Sequence, residues 1–245
     1  MVTRVAIAGA SGRMGRLATR LVEESPDFDL HAAIGSTDSP ELMIGADVVL
    51  DLTAPAASPG IVEAALSRGI PALVGTSGWT ADRLASLEVR LRELPDLGVV
   101  VVPNFSLGSA VATLLSAIAA PYFDAIEIIE THHERKADSP SGTAIRTAEE
   151  IGRARATLGP VTAPHTDQRA RGQQVASVPV HSLRMAGVSA EQEVVFGGTG
   201  ETVRVIHRTL TDASYEAGIL VGLRAATERR GLTVGLDKLL NLSAG

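Results

Sequence analysis

The sequence contains no cysteine, few aromatic residues and no long apolar run. Without cysteine, disulfide bonds, thiolate zinc sites and cysteine nucleophiles are all excluded. Phe, Trp and Tyr make up only 3% of the 245 residues, so few side chains are available to stack on nucleic acid bases. No apolar run approaches the roughly 20 residues of a membrane-spanning helix, and no long apolar targeting segment precedes Val5–Ala8. We therefore expect a cytoplasmic protein with no membrane partner.

Positive charge is also scarce. The chain has 22 Lys and Arg against 28 Asp and Glu, which gives a formal net charge of −6. Because attraction to a phosphate backbone needs a basic surface, a nucleic-acid partner is not expected. A small anionic ligand is compatible with this charge, since a local cluster of cations can bind one inside an acidic protein.

The first hundred residues alternate between short apolar strands and amphipathic helices. This alternation is typical of a parallel sheet with helices on both faces, the doubly wound Rossmann-type α/β class. The predicted strands are Arg4–Ala8, Phe28–Ile34, Val48–Leu52, Ala72–Val74 and Val99–Val102. Three helices are predicted: one begins near Met14, the second begins at Pro59 with Ser58 as its N-cap, and the third covers Thr80–Leu94.

The pattern changes after residue 105. Three successive strands with glycine-bearing turns indicate a mixed or antiparallel sheet, and hence a second, α+β domain. The apolar stretch Leu232–Leu240 is expected to return to the first domain, so the predicted domains are 1–105 with 215–245, and 106–214. The predicted helices here are Leu107–Ala120, Thr143–Arg155 and Tyr215–Glu228, the strands are Ala125–Glu130, Val178–Met185, Gln192–Phe196 and Thr202–His207, and Gly159–Gln174 is a polar loop.

A glycine-rich loop lies between the first strand and the first helix. Gly9, Gly12 and Gly15 have the spacing that permits a tight turn, close approach of a pyrophosphate and close helix–strand packing. The helix N-terminus then presents amides and a positive dipole end to phosphates. We interpret the loop as a dinucleotide site rather than a purely structural turn, with Gly9, Ala10, Ser11, Gly12, Arg13, Met14 and Gly15 as its residues.

The end of the second strand bears on the choice between NADH and NADPH. NAD-preferring folds usually carry an acid there that binds the ribose hydroxyls, but this strand continues into Gly35, Ser36 and Thr37. The two hydroxyls can donate to a 2′-phosphate, which favours NADPH or dual use. If Asp38 swings in instead, NADH preference is restored.

The segment Thr131–Thr143 has the densest chemistry in the chain. His132, His133, Arg135 and Lys136 follow a predicted strand, and Ser141-Gly142-Thr143 opens a helix whose amides suit a carboxylate. Histidine can deliver a proton near neutral pH, and a lysine can stabilise developing negative charge. Such a grouping predicts a proton donor beside an anion site.

Three alternatives compete with that interpretation. A metal site at the histidine pair is disfavoured because adjacent ligands point apart on a strand and no carboxylate spacing completes the set. The cationic run is otherwise a solvated loop, and the Pro-Ser-Gly-Thr sequence an ordinary helix start. The coincidence of donor, cation and helix start, in a chain with a dinucleotide loop, favours the functional interpretation.

Five landmarks, spread over nearly the whole chain, carry a family resemblance: Gly9–Gly15, Asp51–Thr53, Gly75–Trp79, Pro103–Gly108 and Glu130–Ala144. Through them the chain resembles the dihydrodipicolinate reductase family, whose enzymes reduce 4-hydroxy-tetrahydrodipicolinate to tetrahydrodipicolinate with NAD(P)H in the diaminopimelate route to lysine. The last landmark is the most specific.

The resemblance implies a dinucleotide domain completed by the C-terminus, a central substrate domain that also builds a homotetramer, and no metal. It implies that His132 is the proton donor, that Lys136 is the second catalytic residue, and that His133, Gly142 and Thr143 contact the substrate carboxylates, with Ser141 beside them. On the cofactor side it points, beyond the glycine loop, to Gly35, Ser36, Thr53, Gly75, Thr76, Pro103, Asn104 and Phe105.

Two departures qualify the match. Arg135 stands where many members have a third histidine, and it keeps the charge but cannot shuttle a proton. Gly35 replaces the strand-end acid. Among other polar residues, Asp138 either orients Lys136 or caps the loop, and Arg184 either reaches the substrate or lies on the surface. His165, His181 and His207 are interpreted as structural or solvent-facing, and Trp79 as packing near the cofactor.

Two other functions are kept as alternatives. One is a related reductase of another small cyclic dicarboxylate or imine. The other is a non-catalytic NAD(P)H-binding sensor, which would have no need of a proton donor beside a carboxylate site. Intact His132 and Lys136 argue against the sensor.

Overall fold

The computed structural model describes residues 2–240, which form two compact units. One unit consists of the chain up to Ser106 together with Tyr215–Leu240, and the other of Leu107–Ser214. The last five residues of the predicted range 215–245 lie outside the described residues. The strands are β1 Thr3–Ala8, β2 Phe28–Ile34, β3 Val48–Asp51, β4 Ala72–Val74, β5 Gly98–Val101, β6 Ala125–His132, β7 Gln173–Val175, β8 Val178–Arg184, β9 Ala190–Gly198, β10 Glu201–Thr209 and β11 Gly231–Val234. The helices are α1 Arg13–Glu24, α2 Ser58–Leu66, α3 Ala81–Arg92, α4 Leu107–Ala119, α5 Gly142–Ala154 and α6 Glu216–Glu228.

The first unit contains a six-stranded parallel sheet in the order β11-β5-β4-β3-β1-β2. Its central strands are buried on both faces, as a parallel sheet between two helical layers requires. Within β4, Leu73 packs against Gly222 of α6, whereas Ala72 and Val74 belong to the core formed with α2 and α3. Because successive side chains of a strand point to opposite faces, these helices cover opposite sides of the sheet. The predicted doubly wound fold is confirmed.

The second unit contains a five-stranded mixed sheet in the order β10-β9-β6-β8-β7. Only β6 and β8 run parallel, and the other neighbours are antiparallel. One face of this sheet packs on α5, with Ile128, Val194 and Phe196 meeting Ala148 and Ile151 in a dry core. The predicted α+β unit with a mixed sheet is also confirmed.

The strand register of the second unit positions its polar residues. Strand β6 continues to His132, two residues beyond the predicted end, because Thr131 and His132 pair with both β8 and β9. In the parallel pair, Glu130 lies opposite Ser182 and His132 opposite Arg184. Residues far apart in the sequence are thereby brought to one end of the sheet.

The predicted N-cap role of Ser58 is wrong. Ser58 is the first residue of α2, and its hydroxyl donates to the carboxylate of Asp51 and accepts the indole N–H of Trp79 at 2.9 Å. The carboxylate of Asp51 is fully buried, and a buried charge needs hydrogen-bond donors more than a helix end does. Trp79 packs against the apolar core of α2 and α3, and its place at the lip of the cofactor crevice stays a prediction.

Candidate active site

The loops with the predicted cofactor residues follow the carboxyl ends of the parallel strands. The amide of Gly9 donates to Ile34 O at 2.8 Å, that of Leu52 to Ala8 O at 2.9 Å, and that of Gly75 to Asp51 O at 2.9 Å. Each loop is therefore tied to the end of the neighbouring strand. In open α/β sheets, ligands bind outside this edge. The residues brought to it include Gly9, Ala10, Gly35, Thr53, Gly75, Thr76 and Pro103.

The three glycines of the first loop have separable roles. Gly9 has a φ of +82°, and a Cβ there would lie 2.4 Å from Leu52 O. A Cβ at Gly15 would lie 2.1 Å from Gly9 O, so only glycine lets α1 approach the strand this closely. At Gly12 a Cβ would meet nothing nearer than Gly9 O at 3.3 Å, and no side chain caps α1. The outer side of the loop is open at a helix start, which fits the pyrophosphate of a dinucleotide.

A cavity of about 450 Å³ adjoins this loop and the end of β2, and Ala10, Ser11, Arg16, Gly35 and Asp38 are among its lining residues. The carboxylate of Asp38 accepts the amide N–H of Gly35 at 2.7 Å. The last residues of β2 include no acid, but Asp38, on the turn that follows, places a carboxylate beside the end of this strand. Ser36 and Thr37 lie on the same exposed turn.

Asp51 organises the loops after β3 and β4. One carboxylate oxygen accepts from the amide and the hydroxyl of Thr53, at 3.0 and 2.6 Å, and the other accepts from Ser58. The backbone carbonyl of Asp51 accepts from Thr76 Oγ1 at 3.3 Å. Through Ser58 the network reaches Trp79. Two predicted cofactor residues, Thr53 and Thr76, are therefore fixed by one buried acid.

Phe105 packs where Gly75 has no side chain. A Cβ at Gly75 would lie 2.4 Å from the Phe105 ring and 2.7 Å from Leu52 Cδ2. Asn104 turns its side-chain oxygen to the amide of Ser106, at 2.9 Å. The predicted residues Gly75, Asn104 and Phe105 therefore share one closely packed corner of the first unit.

In the second unit, His132 ends β6 and is held by a buried acid. Its Nδ1 lies 2.6 Å from Glu130 Oε2. Glu130 is fully buried, while His132 is partly exposed. Because the two residues are two positions apart on a strand, their side chains lie on the same face.

Arg184 occupies the other side of Glu130. Its two terminal nitrogens contact the two carboxylate oxygens at 2.9 and 2.8 Å, a bidentate ion pair. The same guanidinium donates to Lys136 O at 3.3 Å and to Asp138 O at 2.6 Å. Arg184 therefore holds the loop that carries Lys136.

The side chain of Lys136 points to Asp138. Of the two alternatives for Asp138, this contact favours orienting Lys136 over capping the loop. The ammonium lies 2.7 and 2.8 Å from the two carboxylate oxygens. Burial alone would raise the pKa of Asp138, but the hydrogen bond and charge of Lys136 lower it. Lys136 is one of only two lysines among the 22 basic residues of the chain, and a lysine supplies a compact charge where arginine supplies a planar fork.

The start of α5 completes the grouping. Ser141 caps the helix, its hydroxyl accepting from Ala144 N at 3.2 Å, and its own amide donates to Glu130 Oε1 at 3.2 Å. A Cβ at Gly142 would meet nothing within 4 Å, so the first turn is open there. The next residue, Thr143, is half-buried. His132, the Lys136 loop and the helix start are thus brought together around Glu130.

Other predicted residues lie farther from this network. His133 and Arg135 lie on the exposed turn between β6 and Lys136. His181 lies 2.7 Å from Glu127 on the opposite face of the sheet, and His165 is exposed. His207 is half-buried, and burial lowers its pKa. None of these three histidines is hydrogen-bonded to Glu130 in the described part of the chain.

The sequence analysis assigned no role to Glu130, and it interpreted Arg184 as either reaching the substrate or lying on the surface, whereas Arg184 pairs with the buried Glu130. The available signal was the spacing of two between Glu130 and His132, which places an acid beside a histidine on one strand face. For Arg184 there was no local signal, because its position depends on the pairing of β6 with β8.

The ionisation of Glu130 follows from its partners. Burial alone would raise its pKa, but hydrogen bonds from His132, Arg184 and Ser182 outweigh burial and lower the pKa to about 2. The group is therefore a carboxylate at neutral pH.

No helix within residues 2–240 is long and apolar enough to cross a membrane.

A doubly wound sheet with this glycine loop defines the class as a dinucleotide-binding protein. Family models described as the N-terminus and the C-terminus of dihydrodipicolinate reductase match residues 3–105 and 100–240. The chain belongs to the dihydrodipicolinate reductase family.

Individual relatives agree with this membership. The chain is 55% identical to the 4-hydroxy-tetrahydrodipicolinate reductase of Clavibacter michiganensis subsp. michiganensis, over 99% of this chain and 87% of that one. It is 44% identical to the Streptomyces avermitilis enzyme of the same name, over 98% of both chains. Among solved structures, the dipicolinate-bound dihydrodipicolinate reductase of Paenisporosarcina sp. TG-14 is similar, with a TM-score of 0.81 and 29% identity over 97% of this chain and 99% of that one.

Proposed function

We propose that this chain reduces 4-hydroxy-tetrahydrodipicolinate to tetrahydrodipicolinate with NADH or NADPH, in the diaminopimelate route to lysine. The names of its relatives support this reaction. The observation that carries the proposal is that His132, the Lys136 loop and the start of α5 meet around the buried carboxylate of Glu130.

Substrate binding is assigned to the second unit. The substrate has two carboxylates, so it needs converging cations and amides. The start of α5 at Ser141, Gly142 and Thr143 lies at the positive end of a helix dipole, which favours a carboxylate. His133 supplies a second donor. Dipicolinate bound to the Paenisporosarcina enzyme is a ligand of the same dicarboxylate class.

The reaction needs a proton as well as a hydride. When bound, the nicotinamide cofactor supplies the hydride. The 4-hydroxyl of the substrate leaves as water, which gives the conjugated dihydrodipicolinate. Hydride addition then moves negative charge to the far end of the conjugated system, where His132 donates a proton and Lys136 stabilises the charge. Removing a general acid of this kind lowers the rate by about 10²–10⁴-fold, and a charge-stabilising group contributes a comparable amount.

The proposed reaction is tested by the product and by the substrate range. Purified protein is incubated with freshly generated 4-hydroxy-tetrahydrodipicolinate and either cofactor, and the product is identified by mass spectrometry. A cyclic imine with a single carboxylate is the control substrate. We expect turnover of the dicarboxylate and at least tenfold lower kcat/KM for the control. Faster turnover of the control would favour a different imine reductase, and cofactor binding without turnover of either would favour the sensor.

Both nicotinamide cofactors are proposed to be used, with Asp38 opposing NADPH. Its carboxylate lies against Gly35 N and is placed to accept ribose hydroxyls, the role of the acid in NAD-binding sheets. Arg16, Ser36 and Thr37 are the donors available to a 2′-phosphate near the same cavity. The two sets of groups support dual use.

A cytoplasmic homotetramer is the proposed assembly. The second unit exposes two apolar surfaces of its own. One is a stripe on α4 formed by Val111, Leu115 and Ile118, and the other includes Leu183 and Ile206 on the sheet face away from α5. Exposed apolar patches of this kind mark association surfaces. Light scattering is expected to give about 100 kDa for four chains of 25.4 kDa, and a mass near one or two chains would contradict the tetramer.

A further inference from the structure

Glu130 uses both of its carboxylate oxygens on groups of the candidate site. Oε2 contacts His132 Nδ1 at 2.6 Å and Arg184 at 2.9 Å. Oε1 contacts Arg184 at 2.8 Å and the amide of Ser141 at 3.2 Å. Burying a carboxylate costs free energy unless its hydrogen bonds are made, so this fully buried side chain depends on each of these four contacts.

The contact with Glu130 determines where the protons of His132 lie. An ionised carboxylate only accepts hydrogen bonds, so Nδ1 of His132 must carry a proton. In the neutral ring, Nε2 is then the nitrogen without a proton, and in the imidazolium it carries the proton that can leave. A neighbouring carboxylate also stabilises the imidazolium, as the buried acid does in the Ser-His-Asp triad.

We propose that Glu130 is a positioning residue for the reductase, fixing the ring orientation and tautomer of His132 so that the proton is delivered from Nε2. Arg184 completes the arrangement by pairing with Glu130 and donating to the carbonyls of Lys136 and Asp138. One buried ion pair thereby sets both proposed catalytic side chains. This inference rests on the proposed role of His132 as proton donor.

In the described part of the chain, Glu130 is the acid that is hydrogen-bonded to His132. Across the sheet, His132 and Glu130 pair with Ala190 and Gln192 of β9, which carry no charge. On β8 the neighbours are Ser182 and Arg184. The titratable and charged side chains that follow on the loop are His133, Glu134 and Arg135, which are exposed, and Lys136 and Asp138, which bind each other. Asp138 is therefore already engaged.

The chain offers a matched control on the same strand. Glu127 contacts His181 at 2.7 Å and also pairs with Arg171, so it forms a second Glu–His–Arg cluster. Because Glu127 and Glu130 are three positions apart, they lie on opposite faces of β6. The Glu127 cluster contacts no predicted site residue in the described part of the chain. A change there tests the loss of such a cluster without touching the site.

The test compares Glu130→Gln with Glu127→Gln, using kcat, KM and the pH dependence of kcat/KM. For Glu130→Gln we expect kcat to fall by about 100-fold or more, in the range of general-acid losses. The pH profile should change as well, because the donor has lost the carboxylate that orients it. Dipicolinate binding should change far less than kcat. For Glu127→Gln, kcat and the profile should match wild type.

Two further measurements keep the inference testable if Glu130→Gln does not fold. Glu130→Asp keeps the charge but withdraws it by one methylene, so we expect an intermediate kcat and a smaller shift of the profile. In the wild-type holoprotein, ¹⁵N spectra of the imidazole, assigned with His132→Gln, should show the neutral ring protonated at Nδ1.

The results for the His132 and Glu130 variants distinguish a failure of the proposed proton donor from a failure of the proposed role of Glu130. If His132→Gln keeps wild-type kcat, the proposed donor is wrong and Glu130 has nothing to position. If His132→Gln loses activity while Glu130→Gln keeps kcat and its pH profile, the role of Glu130 is overturned. A neutral His132 protonated at Nε2 would overturn it as well.

Discussion

Asp38 is the single residue on which cofactor choice most depends. Its carboxylate accepts from Gly35 N at the end of β2, beside the cavity that adjoins the glycine loop. Replacing it by asparagine removes a charge that both repels a 2′-phosphate and attracts ribose hydroxyls. Charges near a protein surface interact by about 1 kcal/mol, and 1.4 kcal/mol is tenfold in kcat/KM. For Asp38→Asn we therefore expect the NADPH-to-NADH ratio of kcat/KM to rise by at least about fivefold.

The control for Asp38→Asn is Asp29→Asn, which removes an exposed carboxylate from the same strand but away from its carboxyl end. The ratio in that variant should equal the wild-type ratio. An Asp38→Asn ratio that is unchanged, or that moves towards NADH, would show that this carboxylate does not face the ribose.

At the residue scale, the sequence predicts what local chemistry reveals. His132 and Lys136 are identifiable because a proton donor, a cation and a helix start fall within one short segment of a chain that also has a dinucleotide loop. Arg184 lies 54 positions from Glu130, and only the pairing of β6 with β8 brings them together. No spacing rule within a single segment finds such a partner.

At the scale of secondary structure, the cap of α5 links stability to substrate binding. Ser141 accepts from Ala144 N, and the loss of such a cap costs about 1 kcal/mol. Ser141→Ala is therefore expected to lower the free energy of unfolding by about that amount. The fraying of the first turn should also weaken the amides assigned to the substrate, so KM should rise several-fold.

Thr80→Ala is the matched variant for Ser141→Ala, because Thr80 caps α3 in the other unit by accepting from Arg83 N. It should lose similar stability in thermal unfolding with no change in KM for the dicarboxylate. Equal KM effects from the two variants would mean that the cap acts only through global stability.

The ends of strands and helices were predicted well where the local sequence pattern determines them. They were predicted less well where contacts with residues distant in the sequence determine them. Phe28–Ile34 and Ala72–Val74 are strands over the predicted residues, since their apolar runs and flanking turn residues suffice. The predicted end of β6 was Glu130, but pairing with two neighbouring strands extends it to His132. Ser58 was assigned to a cap because the buried carboxylate that it serves, Asp51, belongs to a different element.

At the scale of the whole molecule, acid stability is expected to differ between the two units. Glu130, Glu127 and Asp138 all have pKa values below the ordinary ones; burial opposes this and their cationic partners outweigh it. All three lie in the second unit. A carboxylate with a lowered folded pKa adds stability above its ordinary pKa, and that stability is lost as the pH falls through the folded pKa. In the first unit, hydrogen bonds from Arg4 also lower the pKa of Asp47. That pair is half exposed, so solvent screens it and its contribution to stability is small.

The expected acid transition can be measured with two probes. For Glu130, the loss runs from about 4.5 down to about 2 and amounts to about 3 kcal/mol. Trp79 is the only tryptophan and lies in the first unit, so its emission follows that unit, whereas far-ultraviolet circular dichroism follows both. As the pH falls, we expect part of the dichroism to be lost before the emission changes. Coincident transitions would contradict the difference between the units.

The topology of the second sheet shows the limit of prediction at this scale. The sequence predicted four of the five strands and a mixed or antiparallel sheet, and the mixed sheet is confirmed. The fifth strand, β7, begins inside the predicted loop Gly159–Gln174. They did not predict that the one parallel pair is β6 with β8. That pairing joins strands some fifty residues apart in the sequence, and it places Val178 and Val180 in the core that α5 covers.

The central claim is that His132 donates the proton in the reduction of a cyclic dicarboxylate. The most direct measurement is kcat for His132→Gln with 4-hydroxy-tetrahydrodipicolinate, beside His181→Gln, which changes a histidine on the opposite sheet face. We predict that kcat falls by about 10²-fold or more in His132→Gln, with dipicolinate affinity within a few-fold of wild type, and that His181→Gln turns over normally. Wild-type kcat in His132→Gln would contradict the assignment.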